Sequence, residues 1–144
     1  MEADFLNGES EADQAREELA KKAVDGLIRA YQSADPEMGE SHVHLPTTEI
    51  IEWKGLANIW HASVDEFRQT VEARREEPIQ QETIKERIEW LSELTALVRR
   101  DVKTSLPDGR SFVSPAVFIV TPDRAGAYKV ALTWWGAFPG WFQG

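Results

Sequence analysis

Apolar residues in the middle of the chain recur at alternating steps of three and four positions. This spacing places the side chains along one side of an α-helix, as in a coiled-coil seam. A break around Pro78 divides the pattern into two series, which predicts two long helices packed as an antiparallel hairpin. The two series consist of Ile50, Trp53, Ala57, Trp60, Val64, Phe67 and Val71, and of Ile84, Ile88, Leu91, Thr95, Val98 and Val102.

The first of these helices has two weak points. It is predicted to begin at Thr47 or Thr48, directly after Pro46, because such residues suit a helix N-terminus. Gly55 weakens its interior, and Ser63 with Glu66 could start a second helix through a capping box. The segment is therefore one bent helix or two consecutive ones. A short strand over residues 49–53 is the alternative, since β-branched and aromatic residues cluster there.

The flanking segments predict the rest of a helical unit. Alanine-rich apolar positions at helical spacing indicate a helix over residues 11–34, which ends at Asp35-Pro36. Residues 35–47 are predicted to be a loop. The second helix of the hairpin is predicted to run from Pro78 to about residue 103, where Leu94 and Leu97 widen its apolar face toward a bundle core.

The C-terminal third has the residue pattern of β-strands and turns. Residues 106–110 and 122–126 are rich in Pro, Asp and Gly and predict turns. Residues 116–121 form a β-branched and aromatic run, and residues 128–135 alternate between apolar and other side chains. An isolated hairpin is marginal in water, so this small antiparallel meander is expected to lie across the helices.

The predicted architecture is one α+β domain over residues 1–144. It has an acidic N-terminal arm, a three-helix unit containing the long antiparallel hairpin, a small C-terminal antiparallel β meander, and an irregular aromatic tail. The boundaries are residues 1–10 for the arm, 11–103 for the helical part, 104–135 for the β hairpins and 136–144 for the tail.

Negative charge is concentrated at the start of the chain. The net charge is −9, and residues 1–20 hold seven acids and one base, hence −6. This cluster is either a solvated helix start or an acidic arm that docks on a basic partner. The candidate docking residues are Glu11, Asp13, Glu17 and Glu18. Direct binding to nucleic acid is not expected, because an acidic domain repels phosphates.

Composition excludes several classes of protein. The chain has no cysteine, which excludes disulfides, thiolate nucleophiles and cysteine-ligated metals. Its first residues lack the basic start and apolar run of a signal peptide, and no apolar stretch approaches the roughly 18 residues of a membrane span. We therefore expect a protein of the cytoplasm or another intracellular compartment.

Three histidines form the only pattern that resembles a metal site. His42 and His44 are two positions apart and can point to the same side of an extended segment, with a third ligand from His61, Glu40 or Glu49. The spacing is not specific, and exposed loop histidines are the favoured interpretation. No nucleophile elbow or phosphate-binding glycine motif is present. We therefore expect no cofactor, no metal and no catalytic activity.

Five aromatic rings lie within residues 134–144, where glycines and a proline prevent a regular element beyond Trp135. Because this segment is so apolar, its side chains are expected to be buried, either against its own chain or against a neighbouring subunit. The candidate interface residues are Trp134, Trp135, Phe138, Trp141 and Phe142.

These patterns favour a non-catalytic structural or adaptor subunit. It would assemble with copies of itself or with other proteins, as a component of a ring or particle, through its aromatic tail. One alternative is a small acidic inhibitor or immunity-type protein that binds one macromolecular target. The other is a metal-dependent enzyme that uses the His-x-His pair.

Overall fold

A computed structural model describes residues 11–142 of the chain. Helices and strands follow one another in a mixed order, and the strands form one continuous sheet. The helices are α1 (Glu11–Ser33), α2 (Pro36–Glu40) and α3 (Val64–Glu72), which a 3₁₀ turn (Ala73–Arg75) extends. The strands are β1 (Val43–Trp53), β2 (Leu56–Ala62), β3 (Gln80–Trp90), β4 (Ala96–Ser105), β5 (Ser111–Pro122) and β6 (Tyr128–Phe138).

The sheet is six-stranded and has the order β2-β1-β6-β5-β4-β3. Neighbouring strands are antiparallel except β1 and β6, which run parallel. The helices pack on one side of the sheet, which we call the inner face, and the opposite side is the outer face. The chain therefore has an α+β fold with one layer of helices on one mixed sheet.

The core lies between α1 and the inner face. Alternate residues of β4 and β5 are buried, which is the period-2 pattern of strands with one covered face. Val24 and Leu27 of α1 are buried against them. The inner-face core residues of these two strands are Ala96, Val98, Val102, Ala116, Phe118 and Val120.

The prediction of a long helical hairpin is wrong, and its first helix is instead a β-hairpin followed by a short helix. Lys54 and Gly55 form a two-residue turn with φ angles of 53° and 75°, and Trp53 pairs with Leu56. Two positive φ values are the requirement of the turn that suits a tight hairpin. The helix starts only at Val64, after the Ser63 capping box. The strand alternative for residues 49–53 is confirmed.

The second predicted helix is the antiparallel pair β3 and β4. In β4, inner-face and outer-face positions alternate strictly. One of the inner-face positions is Arg100, so a charged residue stands where an apolar residue is expected. That guanidinium is buried, with 4% of its side chain exposed, and contacts Asp25 and Glu86. β3 is an edge strand and is mostly exposed. Its few apolar residues therefore do not show the alternation by which a strand can be recognised.

Other predictions are closer to the structure. The helix predicted over residues 11–34 is α1, and the turns predicted over 106–110 and 122–126 connect β4 to β5 and β5 to β6. The β-structure is nevertheless the body of a six-stranded sheet and not a small C-terminal meander. The segment predicted as a loop, residues 35–47, holds α2 and the start of β1. The predicted acidic arm, residues 1–10, lies outside the described residues.

β6 also extends further than predicted, to Phe138. At Gly136 an added Cβ would lie 2.5 Å from the Trp134 ring, so this strand position accommodates a large neighbouring side chain because it has none of its own. Within residues 11–142, no helix is long and apolar enough to span a membrane.

Candidate functional site

A cavity of about 50 Å³ lies between the helices and the inner face of the sheet. Its walls are mainly apolar and aromatic, formed by Ile51, Ile79, Phe112, Trp135, Phe138 and Phe142. Its polar lining consists of Tyr31, Glu49, Arg74, Gln81 and Thr104. An apolar cavity with a few convergent polar groups is the usual composition of a small-molecule site.

Each charged or acidic group reaches the cavity from a different element. Tyr31 lies in the last part of α1, where its ring packs edge-on against Phe67 of α3 at a centroid distance of 6.3 Å. Glu49 occupies an inner-face position of β1, paired with the buried Thr133 of β6. Arg74 is in the 3₁₀ turn that follows α3. Tertiary packing alone brings these three side chains together.

Two of the polar groups are satisfied within the protein. Gln81 donates from Nε2 to Thr104 Oγ1 at 3.2 Å, and its backbone N–H donates to Gln32 Oε1 at 3.1 Å. These bonds tie β3 to β4 and to α1, and they fix the two side chains where they line the cavity. Gln81 and Thr104 therefore have a structural role that needs no ligand.

The other three groups have no such partners. Among residues 11–142, the Tyr31 hydroxyl and the Glu49 carboxyl accept or donate no hydrogen bond. The Nε of Arg74 is buried without a hydrogen-bond partner in the same part of the chain. Since buried polar atoms are nearly always paired, the unpaired Nε of Arg74 suggests a role other than stability for this residue. The side chains of Tyr31 and Glu49, which line the same cavity, are half-buried.

Electrostatics in the cavity favour the neutral forms of its acids. Desolvation raises the pKa of the Glu49 carboxyl, and the positive charge of Arg74 offsets this only in part. Desolvation, and secondarily the Glu49 charge, raise the pKa of the Tyr31 phenol well above its usual value. A carboxyl whose pKa is raised exchanges its proton closer to neutral pH, so Glu49 is suited to proton transfer.

Two further pockets adjoin this cavity. One is an open groove of about 450 Å³, and Arg74 and Ile79 line both this groove and the cavity. The other is a pocket of about 130 Å³ beneath Trp53 and Trp60. The Phe142 side chain lines all three spaces and is only 4% exposed. Phe142 thus separates the inner cavity from both neighbours.

The end of the aromatic segment packs on its own chain. The Phe112 ring of β5 lies 5.0 Å from the Phe142 ring and 5.6 Å from the Trp141 ring, measured between centroids. Trp53 donates from Nε1 to the carbonyl oxygen of Pro139 at 3.2 Å. These contacts hold the segment against β1 and β5 of its own chain.

The outer face of the sheet carries two rows of paired residues that cross it from β3 to β2. Because directly paired residues point to the same side, each row is a continuous strip of surface. The first row is Arg87, Arg99, Val117, Trp134, Ile50 and Ile59. The second is Glu89, Leu97, Ile119, Leu132, Thr48 and His61. The centre of both rows is apolar.

The predicted interface residues of the aromatic segment fall into two groups. Trp135 and Phe142 are buried in the chain's own core, and Phe138 is half-buried beside them. Trp134 lies on the outer face, and Trp141 is 42% exposed. A contact with a neighbour therefore stays a prediction for Trp134 and Trp141, the two that a partner could reach.

The predicted acidic interface lies at the start of α1. Asp13 forms an ion pair with Arg16 at 2.5 Å, and Glu18 lies 3.7 Å from Lys21. Glu11 and Glu17 lie in the same turns. Such pairs are ordinary features of a solvated helix and are weak individually, so the docking role of these residues stays a prediction.

The three histidines have separate environments. The His42 ring packs against Gly26 of α1. A ring nitrogen of His44, Nε2, lies 2.8 Å from the Thr121 carbonyl oxygen, and Nδ1 of His61 lies 3.1 Å from Thr48 Oγ1. Residues 11–142 contain no group of three or more potential ligands placed to hold a metal ion. The His-x-His spacing therefore does not correspond to a ligand cluster in this part of the chain.

Sequence reasoning missed the polar residues of the cavity, although three of its aromatic residues, Trp135, Phe138 and Phe142, are among the predicted interface residues. Tyr31 and Arg74 belong to no recognisable sequence motif. The sequence identifies Glu49 only as a possible third metal ligand. One usable signal exists: on β1 the inner-face positions read Thr47, Glu49, Ile51 and Trp53, so an acid stands in a row that faces the core. Recognising it requires knowing that this segment is a strand.

Neither a protein-family model nor a curated protein matches the sequence. Solved structures do match, at low identity. The association domain of CaMKII from C. elegans has a TM-score of 0.71 and 12% identity, covering 89% of this chain and 100% of its own. A putative scytalone dehydratase from Novosphingobium aromaticivorans has a TM-score of 0.69 and 12% identity, covering 85% and 84%.

A putative ketosteroid isomerase from Shewanella frigidimarina matches with a TM-score of 0.67 and 10% identity, covering 81% of this chain and 94% of its own. The shared architecture is the NTF2-like or cystatin-like α+β fold, named so in other matching structures. At this identity the likeness shows the fold alone.

These matches contradict the prediction that the chain is not an enzyme. That prediction relied on the absence of sequence motifs, whereas the fold is one that a putative dehydratase and a putative isomerase share. In such a fold a site is assembled from scattered side chains, so motif absence does not test for it. The fold is equally that of an association domain, which is compatible with a domain that assembles.

Proposed function

We propose that this chain is a self-associating domain that forms a two-fold dimer through the outer face of its sheet. The observation that carries the proposal is the set of apolar side chains in the two rows, which includes Val117, Ile119, Leu132, Trp134, Ile50 and, at the edge, Ile59. The buried side chains of the strands belong to the inner face, which the helices cover. A strip of branched and aromatic side chains on the uncovered face is typical of an interaction surface.

Charge complementarity favours a second copy as the partner. Arg87 and Arg99 stand directly opposite each other on β3 and β4, and like charges in such a pair repel. On the other side of the apolar centre, the outer-facing Glu52 accepts a hydrogen bond from Trp134 Nε1 at 3.1 Å. A two-fold axis along β5 and β6 would bring Arg99 of one copy toward Glu52 of the other.

The comparisons support self-association as a property compatible with this fold, since one of the matching structures is an association domain. Trp134 also belongs to the aromatic segment for which the sequence predicts an interface. The competing contact within that segment is the exposed Trp141, which lines the open groove of about 450 Å³ and belongs to neither outer-face row.

Light scattering coupled to size exclusion, repeated over a range of protein concentrations, tests the proposal. We expect the native chain to be a dimer and Trp134→Glu to be monomeric. Ile59→Glu, a change on an exposed edge strand that should not disturb folding, is expected to weaken the dimer in the same way. Trp141→Glu is the matched control and should remain dimeric.

Two results would count against the outer face. A native chain that is monomeric at every concentration would remove the dimer itself. Dissociation by Trp141→Glu, with Trp134→Glu and Ile59→Glu still dimeric, would instead assign the contact to the end of the aromatic segment.

A further inference from the structure

We propose that the inner cavity binds a small aromatic carboxylate, held by Arg74 and Tyr31, and that Glu49 takes up a proton when the ligand binds. This inference goes beyond self-association and does not depend on it. The outer face and the cavity are on opposite sides of the sheet, so each can be tested while the other is intact.

The strongest observation is the buried, unpartnered Nε of Arg74. A guanidinium has donors only, and a donor removed from water without an acceptor is unfavourable. Within residues 11–142, Arg74 forms no ion pair, although Glu49 is close enough to act on it electrostatically. The Nε–H of Arg74 is therefore a donor available to a ligand in the cavity.

The second observation is the set of groups around that acceptor position. The Tyr31 phenol has its pKa raised, so it retains its proton and serves as a donor. The groups that face Glu49 are Tyr31 from α1 and Arg74 from the 3₁₀ turn, while β3 and β4 contribute the neutral Gln81 and Thr104. A guanidinium and a phenol that line one cavity are complementary to an anionic oxygen, and a guanidinium binds carboxylates especially well.

The third observation concerns the body of the ligand. The cavity walls include the rings of Phe112, Trp135 and Phe138, which favour a flat aromatic group. At about 50 Å³ the cavity is small, but it shares Ile51, Phe138 and Phe142 with the pocket of about 130 Å³ beside it. A ring that displaces the Phe142 side chain would occupy both spaces.

Proton uptake follows from placing a second negative charge beside Glu49. Two carboxylates at one site cannot both stay ionised, so the anion favours the protonated form of a group whose pKa is already raised. Binding should therefore be coupled to protonation and should be tighter at lower pH, as long as the ligand itself remains ionised.

Isothermal titration calorimetry with 1-naphthoate and with benzoate provides the test, with 1-naphthamide as the neutral counterpart. Measurements in two buffers of different ionisation enthalpy give the number of protons taken up. We expect naphthoate to bind about tenfold or more tightly than the amide, with net proton uptake near neutral pH. Arg74→Gln should lose at least about tenfold in affinity.

The controls are matched within the site. Arg75→Gln changes the adjacent, exposed arginine of the same 3₁₀ turn and should bind like the native chain. Glu49→Gln, which imitates the protonated carboxyl, should retain binding but abolish proton uptake. Trp134→Glu should bind normally even as a monomer, which separates this result from the outcome for self-association.

Three outcomes would overturn the inference. The first is that neither carboxylate binds the native chain. The second is that Arg74→Gln, shown to be folded by its thermal transition, binds as well as Arg75→Gln. The third is that Glu49→Gln takes up as many protons as the native chain, in which case another group carries the proton.

Discussion

The guanidinium of Arg100 in β4 contacts the carboxylate of Asp25 in α1 at 2.7 Å. This ion pair joins the long helix to the inner face of the sheet. On its other side the same guanidinium meets Glu86 of β3 at 2.6 Å. One buried cation thus connects α1, β3 and β4, and its two partners differ in exposure, with 49% of the Asp25 side chain and 23% of the Glu86 side chain in contact with solvent.

That difference predicts unequal effects of two similar substitutions. Glu86→Gln should lower the free energy of unfolding by about 3 kcal/mol, because it leaves a buried guanidinium without its main counter-charge. Asp25→Asn should lower it by less than about 1 kcal/mol, since a half-exposed carboxylate contributes little. Urea denaturation of the two variants measures both values, and equal losses would show that the partners are equivalent.

A close approach of α1 to the start of β1 predicts the effect of a single methyl group. A Cβ at Gly26 would overlap the His42 ring, so Gly26→Ala should destabilise the chain by about 1–3 kcal/mol, although alanine is the better helix former. The double variant with His42→Ala should recover most of the loss. Thermal unfolding measures the effect.

Gly140→Ala is the matched control for this substitution. Among residues 11–142, no atom lies within 4 Å of a Cβ built at Gly140, so that variant should unfold like the native chain. If Gly26→Ala were as stable as Gly140→Ala, α1 would have room to shift away from His42.

The hairpin turn between β1 and β2 predicts changes in stability of opposite sign. Both turn residues, Lys54 and Gly55, have positive φ, and the preferred pair for such a turn is Asn-Gly. Lys54→Asn should therefore stabilise the chain by about 0.5 kcal/mol, whereas Gly55→Ala should destabilise it by about 1 kcal/mol. Chemical denaturation distinguishes them. A stabilising Gly55→Ala would be incompatible with this turn.

The pKa of Glu49 predicts a pH dependence of stability. Because this pKa is raised on folding from its ordinary value of 4.5, the folded chain keeps a proton that the unfolded chain has released. The resulting stabilisation is complete below the ordinary pKa and is lost as pH rises through the folded-state pKa. Glu49→Gln cannot release this proton.

The urea midpoints of the native chain and Glu49→Gln, compared at a series of pH values, check this. We expect the advantage of Glu49→Gln to increase as pH rises above 4.5 and then to become constant. Glu82→Gln, at an exposed position of β3, should leave the native pH profile unchanged in shape. A constant difference between native and Glu49→Gln at all pH values would mean that Glu49 titrates alike in both states.

Local signals explain which elements the sequence predicts well. α1 has an uninterrupted apolar stripe and ends at Asp35-Pro36, so short-range preferences are enough to locate it. The turns that contain Gly109 and Gly126, with φ angles of 92° and 86°, are specified by the need for glycine at positive φ. The alternation of β5 and β6 is likewise visible within each strand.

The same signals mislead where strand pairing decides the structure. A 3-4 apolar spacing over short windows fits a helix, but the residues from Ile50 to Ala62 and from Gln80 to Ser105 form hairpins. In β4 the buried Arg100 interrupts the apolar alternation, and it is tolerated only because Asp25 and Glu86 meet it there. Such partners are distant in sequence, so no local pattern predicts them.

Local sequence patterns are enough to locate the first helix, the C-terminal strands and turns, the acidity of the chain and an aromatic segment that must be covered. The parallel pairing of β1 with β6, and the cavity that Tyr31, Glu49 and Arg74 line together, follow from contacts between distant segments. Period and turn chemistry act over a few residues, whereas sheet pairing and burial join parts far apart in the chain.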